Sequence, residues 1–234
     1  MSRPRVKCHV FIDFDGTIVP RDASDLLFER FADPAWQDIE ADWRSGRIGS
    51  RECMTRQVAL LRATPTMLAE AIATLSVDPG FTAFVRRCQG WGIAMTVVSD
   101  GFDRVIAAVL NSVGVTLPYF ANHLLAIGSD RWRVTFPFAR SDCRALAGNC
   151  KCAFTETHAG AVKVVIGDGR SDHCVAGRAD LVFAKAELLA LCRRSGTPHV
   201  AFADFYDVGE TLATWLDQER PARAERLGAG GAQN

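Results

Sequence analysis

DFDGT, residues 13–17, stands directly after the apolar run CHVFI, residues 8–12. Apolar and β-branched side chains that stop at a Gly-containing turn read as a buried strand, here residues 6–12, of the kind a parallel sheet covers on both faces. Its C-terminal end carries Asp13, and two residues on comes a second carboxylate, Asp15, beside Gly16 and Thr17. An apolar element with such a polar end raises the question of what else the chain brings to that edge.

The same pattern recurs downstream. IAMTVV (93–98) ends in Ser99, Asp100 and Gly101, and VKVVIGDG (162–169) ends in Gly and Asp; ADLVFA (179–184) and HVAFA (199–203) add a fourth and a fifth strand. Helical spacing fills the intervals, including 79–89, closed by Gly90, and 102–113, stopped by Gly114. Residues 120–136 read as a hairpin turning at 128–130. Strands alternating with helices imply a parallel α/β sheet of Rossmann-like type. Between the first and second strands lies a block of helical period carrying Leu26, Leu27, Phe31, Trp36, Ile39, Trp43, Met54, Val58 and Leu61, with Thr64-Pro65 opening a further helix. This insertion, residues 20–78, is expected to form an α-helical cap over a core made of residues 1–19 and 79–217, with hinges near 19–21 and 77–80. Residues 218–234, polar and Gly/Ala-rich, read as a flexible tail.

Composition narrows the partners. The 234 residues balance 27 basic against 27 acidic side chains, and 48% are hydrophobic, so the chain is an ordinary globular one with no overall attraction to nucleic acid. Residues 1–12 lack a secretory signal and no run reaches membrane-spanning length, which makes the cytoplasm the expected compartment and membranes no partner. The eight cysteines are then expected as reduced thiols. Cys143, Cys150 and Cys152, with His158, have spacings that could suit Zn²⁺, with buried free thiols as the simpler reading.

In a parallel sheet the strand ends bearing Asp13, Ser99 and Asp168 share one edge and converge. Acids gathered in one cleft need a compensating cation, and hard oxygen donors suit Mg²⁺. That set supports phosphoryl transfer. Aspartate and glycine after a strand are also plain turn formers. DFDGTIV (13–19), VVSDG (97–101), Lys151 and GDGRSD (167–172) together, however, resemble in order the four motifs of the haloacid dehalogenase superfamily of phosphatases. The resemblance implies Asp13 as nucleophile and Asp15 as general acid and base. It implies Gly16, Thr17, Ser99, Asp100, Gly101 and Lys151 around the phosphate, and Asp13, Asp15 (through its main-chain carbonyl), Asp168 and Asp172 around Mg²⁺. Lys163 competes with Lys151 but begins its strand, at the far edge from Asp168. A small phosphorylated metabolite is the expected substrate.

A helical cap between the first two motifs resembles the phosphoserine phosphatase branch, in which a Glu and a cap Arg hold the amino acid; here Asp22 and Gln57 stand at those places. DASDLLFERFADPAW, the cysteine loop around Lys151 and the stretch ADLVFAKAELLALCRRSGTPHVAFADFYDV more closely resemble the 2-hydroxy-3-keto-5-methylthiopentenyl-1-phosphate phosphatase family. Cap residues Asp22, Asp25, Arg47 and Arg51 are the candidates for the leaving group. Trp36 and Trp43 read as cap core, and His173 as structural. Haloalkanoic acid dehalogenation shares the fold but does not need Asp15, and a non-catalytic module would have lost some of the acids.

Overall fold

The computed structural model describes residues 7–158 and 160–229. In chain order the elements are β1 (Cys8–Ile12), α1 (Ala23–Phe31), α2 (Trp36–Arg44), α3 (Ser50–Leu60), α4 (Pro65–Ile72), α5 (Phe81–Trp91), β2 (Ala94–Phe102), α6 (Asp103–Ser112), β3 (Tyr119–Ala126), β4 (Trp132–Thr135), α7 (Lys151–Glu156), β5 (Val162–Gly167), a 3₁₀ turn at Arg170–Asp172, α8 (His173–Ala176), β6 (Leu181–Ala184), α9 (Ala186–Ser195), β7 (Val200–Ala201) and α10 (Phe205–Ala229). Seven strands make one sheet in the order β4-β3-β2-β1-β5-β6-β7, parallel throughout except for β4, which returns antiparallel to β3.

Register explains the convergence of the motifs. Ile12 lies beside Val97 on one side and Ile166 on the other, so Asp13, Ser99 and Asp168 all follow within two residues of the same row. The Asp13 amide extends the ladder by donating to the Ile166 carbonyl at 2.9 Å. Val10, Ile12, Val164 and Ile166 are fully buried, as expected of a central strand pair in a doubly covered sheet.

The insertion forms the four helices α1 to α4. Asp22 caps α1 by accepting from the amides of Ser24 and Asp25, and Thr64 caps α4 ahead of Pro65. The chain enters the cap after Val19 and leaves it at Asp78, whose amide donates to the Ile18 carbonyl at 2.9 Å. The buried Asp78 carboxylate then accepts from the amides of Gly80 and Phe205, tying the return to the starts of α5 and α10. On the far side the β3–β4 hairpin holds the cap: the Ala63 amide donates to the Asp130 carbonyl at 3.0 Å, and the Trp132 indole donates to the Ala63 carbonyl at 2.7 Å. One apolar cluster runs through both parts, with Phe28 of the cap edge-on to Phe102 of the sheet.

Some boundaries differ from the sequence expectation. Helix α5 passes through Gly90 and stops at Gly92, the residue that takes the left-handed conformation, φ 71°, and closes the helix. Strand β2 continues through Ser99, Asp100 and Gly101 to Phe102, with its register against β3 broken there. Only Val200 and Ala201 of the fifth predicted run pair as strand. Backbone beyond 217 continues as α10 to Ala229, in place of the tail read from composition, and residues 230–234 lie outside those described.

Candidate active site

After β1 the chain turns tightly. The amides of Thr17, Ile18 and Val19 all point at the Phe14 carbonyl, and Gly16 adopts φ 72°. Phe14 is buried in the core, so Asp13 and Asp15, on either side of it, are delivered to the cleft. Glycines then make room for the acids. A Cβ on Gly16 would lie 2.1 Å from Asp168 Oδ2, one on Gly101 would lie 2.4 Å from Asp15 Oδ2, and one on Gly167 would lie 2.4 Å from Asp172 Oδ2. The glycines of three motifs are therefore what lets the carboxylates come together.

Lys151, the first residue of α7, reaches into this group. Its Nζ donates to Asp13 Oδ1 at 2.5 Å and to Asp172 Oδ1 at 2.7 Å, and all three side chains are buried. The loop that carries it is pinned by Asn149, whose side-chain amide donates to the carbonyls of Ser99 in β2 and Phe120 in β3. Burial works to lower the Lys151 pKa, but Asp13 and Asp172 outweigh it and hold the ammonium above its ordinary value. Lys163 sits at the start of β5, with its amide on Asp180, at the opposite edge of the sheet.

The acids remain under strain of charge. Burial, with Lys151 opposing and Asp168 adding, pushes Asp13 up to about 6. Burial, then Asp172, pushes Asp168 to about 6, and burial, then Asp13, pushes Asp172 to about 7. Asp13, Asp168 and Asp172 each offer an oxygen within 4.8 Å of the others, the one such gathering of three or more metal-ligating groups among the described residues. Three carboxylates against one ammonium leave an excess of negative charge on hard oxygen donors, which fits a divalent cation such as Mg²⁺.

Asp15 is held differently. Its Oδ1 accepts from the amide of Ala23, at the start of the cap, and its Oδ2 from the Ser99 hydroxyl at 3.3 Å. Burial, then the charge of Asp22, raises its pKa well above the ordinary carboxylate range, which suits it to hold and give up a proton. Ser99 also accepts from the Gly101 amide, while the Thr17 hydroxyl donates to Asp168. The Asp100 carboxylate lines the cleft too. It accepts from the Ser50 hydroxyl of the cap, the Asn149 amide and the Asn122 side chain, and so ties the cap and the lysine loop to β2.

Above the acids lies a cleft of about 470 Å³. Asp22 and Asp25 line it as expected, but Arg47 and Arg51 do not: Arg47 is paired with Asp42, and Arg51 lies exposed away from the cleft. The cap's arginine at the cleft is Arg44, whose Nε donates to Glu40 at 2.9 Å. Gln57, buried in the cap, donates to the other Glu40 oxygen at 3.1 Å. The Glu40–Arg44 pair was visible in the sequence as oppositely charged residues four apart on one helix face. Trp36 is cap core as read, whereas Trp43 is half-buried and forms part of the cleft wall. The His173 ring hydrogen-bonds the Ser195 hydroxyl, at 3.4 Å, apart from the site.

The cysteine loop does not assemble a zinc cage. Cys150 is hydrogen-bonded to Cys143 and Cys152 to Cys174, while His158 packs against the His9 ring, 4.1 Å away, and hydrogen-bonds the Phe154 carbonyl.

These features agree with what the chain resembles. The model of haloacid dehalogenase-like hydrolases matches residues 10–177. Curated relatives include a 2-hydroxy-3-keto-5-methylthiopentenyl-1-phosphate phosphatase of Exiguobacterium sp., 32% identical over 205 residues that cover 86% of this chain and 94% of that one, and one of Geobacillus kaustophilus, 33% identical over 215 residues, covering 87% and 94%. Among solved structures, a phospho-aspartyl intermediate analogue of phosphoserine phosphatase has the same fold, with TM-score 0.69, 20% identity, and 89% of this chain and 99% of that one covered. The chain belongs to the haloacid dehalogenase-like hydrolase family, within the branch whose curated members are phosphatases.

Two outcomes test the site. Gly16→Ala, which drives a methyl into Asp168, is expected to lower hydrolysis of an aryl phosphate by about 100-fold or more, because displacements of roughly 1 Å in catalytic groups carry such losses; wild-type rates would contradict the packing described here. Asp25 is the second. Burial, then Asp22 and Glu40, with Arg44 opposing, raise it from 3.8 to about 7, so between those values the folded chain holds a proton that the unfolded chain releases, and stability falls as pH rises through the window. Asp25→Asn should leave the melting temperature nearly unchanged at pH 4 and raise it by about 2–4 °C at pH 8, after allowing for partial solvent screening.

Proposed function

We propose that the protein is a Mg²⁺-dependent phosphomonoesterase acting on a small phosphorylated metabolite in the cytoplasm, with 2-hydroxy-3-keto-5-methylthiopentenyl-1-phosphate as the leading substrate. The observation that carries this reading is the buried Asp13–Lys151–Asp172 array beside Asp15, whose carboxyl is held by the Ala23 amide and the Ser99 hydroxyl. An Asp13 oxygen attacks phosphorus and the bond from phosphorus to the leaving oxygen breaks, giving an aspartyl-phosphate. Asp15 donates its proton to the leaving oxygen, then takes one from the water that attacks phosphorus, which restores the Asp13 carboxylate and releases inorganic phosphate. Lys151 keeps Asp13 ionised and oriented through both steps. Asp13, Asp168 and the main-chain carbonyl of Asp15 would hold Mg²⁺, with Asp172 behind them; the ion supplies positive charge for the phosphate oxygens.

Beyond the acids of the strand ends the cleft lining is mainly acidic, through Asp22, Asp25, Glu40 and Glu187, and its two arginines are paired, Arg44 with Glu40 and Arg170 with Glu187. A leaving group bearing a free carboxylate, as phosphoserine does, lacks an unpaired arginine to receive it there, and Gln57 cannot replace one. Named relatives and this lining both favour the methylthiopentenyl phosphate, whose leaving group carries no carboxylate. The test is a panel of phosphorylated metabolites assayed with and without EDTA, alongside Asp13→Asn. Chelation should abolish turnover, Asp13→Asn should lower it by about a thousandfold or more, and phosphoserine should be at least about tenfold poorer in kcat/KM than the methylthiopentenyl phosphate, a difference of about 1.4 kcal/mol. Activity that survives EDTA and the substitution would remove the mechanism, and phosphoserine as best substrate would remove the assignment.

A further inference from the structure

Four cysteines, Cys143, Cys150, Cys152 and Cys174, open on a second cavity of about 770 Å³ that adjoins the cleft and reaches Lys151. Nothing in the hydrolytic chemistry uses them. All are free, and they stand as two contacting pairs, of which Cys152 with Cys174 is the more accessible: Cys174 is exposed and Cys152 half-buried, whereas Cys150 is buried. We propose that Cys152 and Cys174 form an oxidisable dithiol, a modification site whose disulfide state lowers the activity of the neighbouring centre.

The placement gives the bond its leverage. Cys152 follows Lys151 on α7, and Cys174 lies two residues beyond Asp172 on α8, so the two thiols flank the Lys151–Asp172 ion pair. Both thiols line the same cavity and are in hydrogen-bonding contact, so Cys152 and Cys174 stand side by side. Closing the contact to a sulfur–sulfur bond of about 2.05 Å draws α7 toward α8. Lys151, buried and held to two carboxylates at 2.5 and 2.7 Å, has no slack to absorb that movement, so its hold on Asp13 changes. Reversible dithiols of this sort are the form in which disulfides occur in reducing compartments, as redox sensors.

The oxidant class is a hydroperoxide. The exposed Cys174 thiol attacks the O–O bond, forming a sulfenic acid and releasing water; the Cys152 thiol then displaces the sulfenic oxygen, forming the S–S bond and releasing a second water. Two thiols lose two electrons and two protons, and one hydrogen peroxide becomes two waters. A dithiol reductant reverses the change.

The effect on rate rests on the phosphatase reading, but formation of the bond does not. Wild type, Cys174→Ser and Cys152→Ser are treated with hydrogen peroxide, cleared with catalase, alkylated, digested and mapped by mass spectrometry, while aryl phosphate hydrolysis is followed in parallel. Wild type should yield a peptide pair cross-linked through Cys152 and Cys174 and lose about 10–100-fold in rate, with dithiothreitol restoring it, and both serine variants should escape the cross-link and the loss. A map showing no such cross-link, or only Cys143 joined to Cys150, overturns the proposal. So does a loss of rate that persists in Cys174→Ser, or a cross-link that leaves the rate unchanged. If the reduced protein hydrolyses no aryl phosphate, the functional reading fails while the peptide map still decides the site.

Discussion

One buried ammonium holds the centre together. Lys151 bridges Asp13 and Asp172, residues that β1 and the turn after β5 present at the same sheet edge, and without it three carboxylates would crowd a pocket from which water is largely excluded. Even with it, burial and mutual repulsion leave all three acids raised above their ordinary values. Such residual charge is costly to folding, and a site that retains it is arranged for a cation and for the phosphate oxygens that a cation helps to bind. The same surroundings separate the roles of two aspartates only two residues apart: Lys151 opposes the rise of Asp13, while Asp15, turned toward Ser99 and the Ala23 amide, is raised well above the ordinary carboxylate range, by burial first.

Much of this arrangement depends on residues that carry no chemistry. Gly16, Gly101 and Gly167 are needed because a carboxylate occupies the space of the absent Cβ. Asn149 fixes the lysine loop to two strands, and Asp100 joins cap, loop and sheet through three donors. The acid–base residue itself leans on the cap through the Ala23 amide, so cap position and the orientation of Asp15 are linked.

The sheet and the catalytic edge were legible because both are written locally: an apolar run followed by Asp, Gly and a hydroxyl is a complete signal within about eight residues, and parallel register then aligns the runs. Lys151 was legible only through the order of four motifs, since a lysine in a cysteine-rich loop says nothing alone. The partners of Asp100 and the role of Asn149 could not be read, because their meaning lies in contacts across 22 to 50 residues of chain. Which cap arginine lines the cleft was not legible for a related reason. Arg47 and Arg44 are close in sequence, and only helix phase and the competing Asp42 decide which one meets the cleft. Gly90 and Gly92 differ likewise only in which takes the left-handed turn.

The central claim is that Asp13 becomes covalently phosphorylated during turnover. Quenching the reacting enzyme in acid, reducing it with borohydride and mapping the peptides tests that claim most directly, since an acyl phosphate is reduced to an alcohol and Asp13 would be converted to homoserine. Conversion confined to Asp13 is the predicted result. Conversion at another carboxylate, or at none while phosphate is being released, would contradict the account.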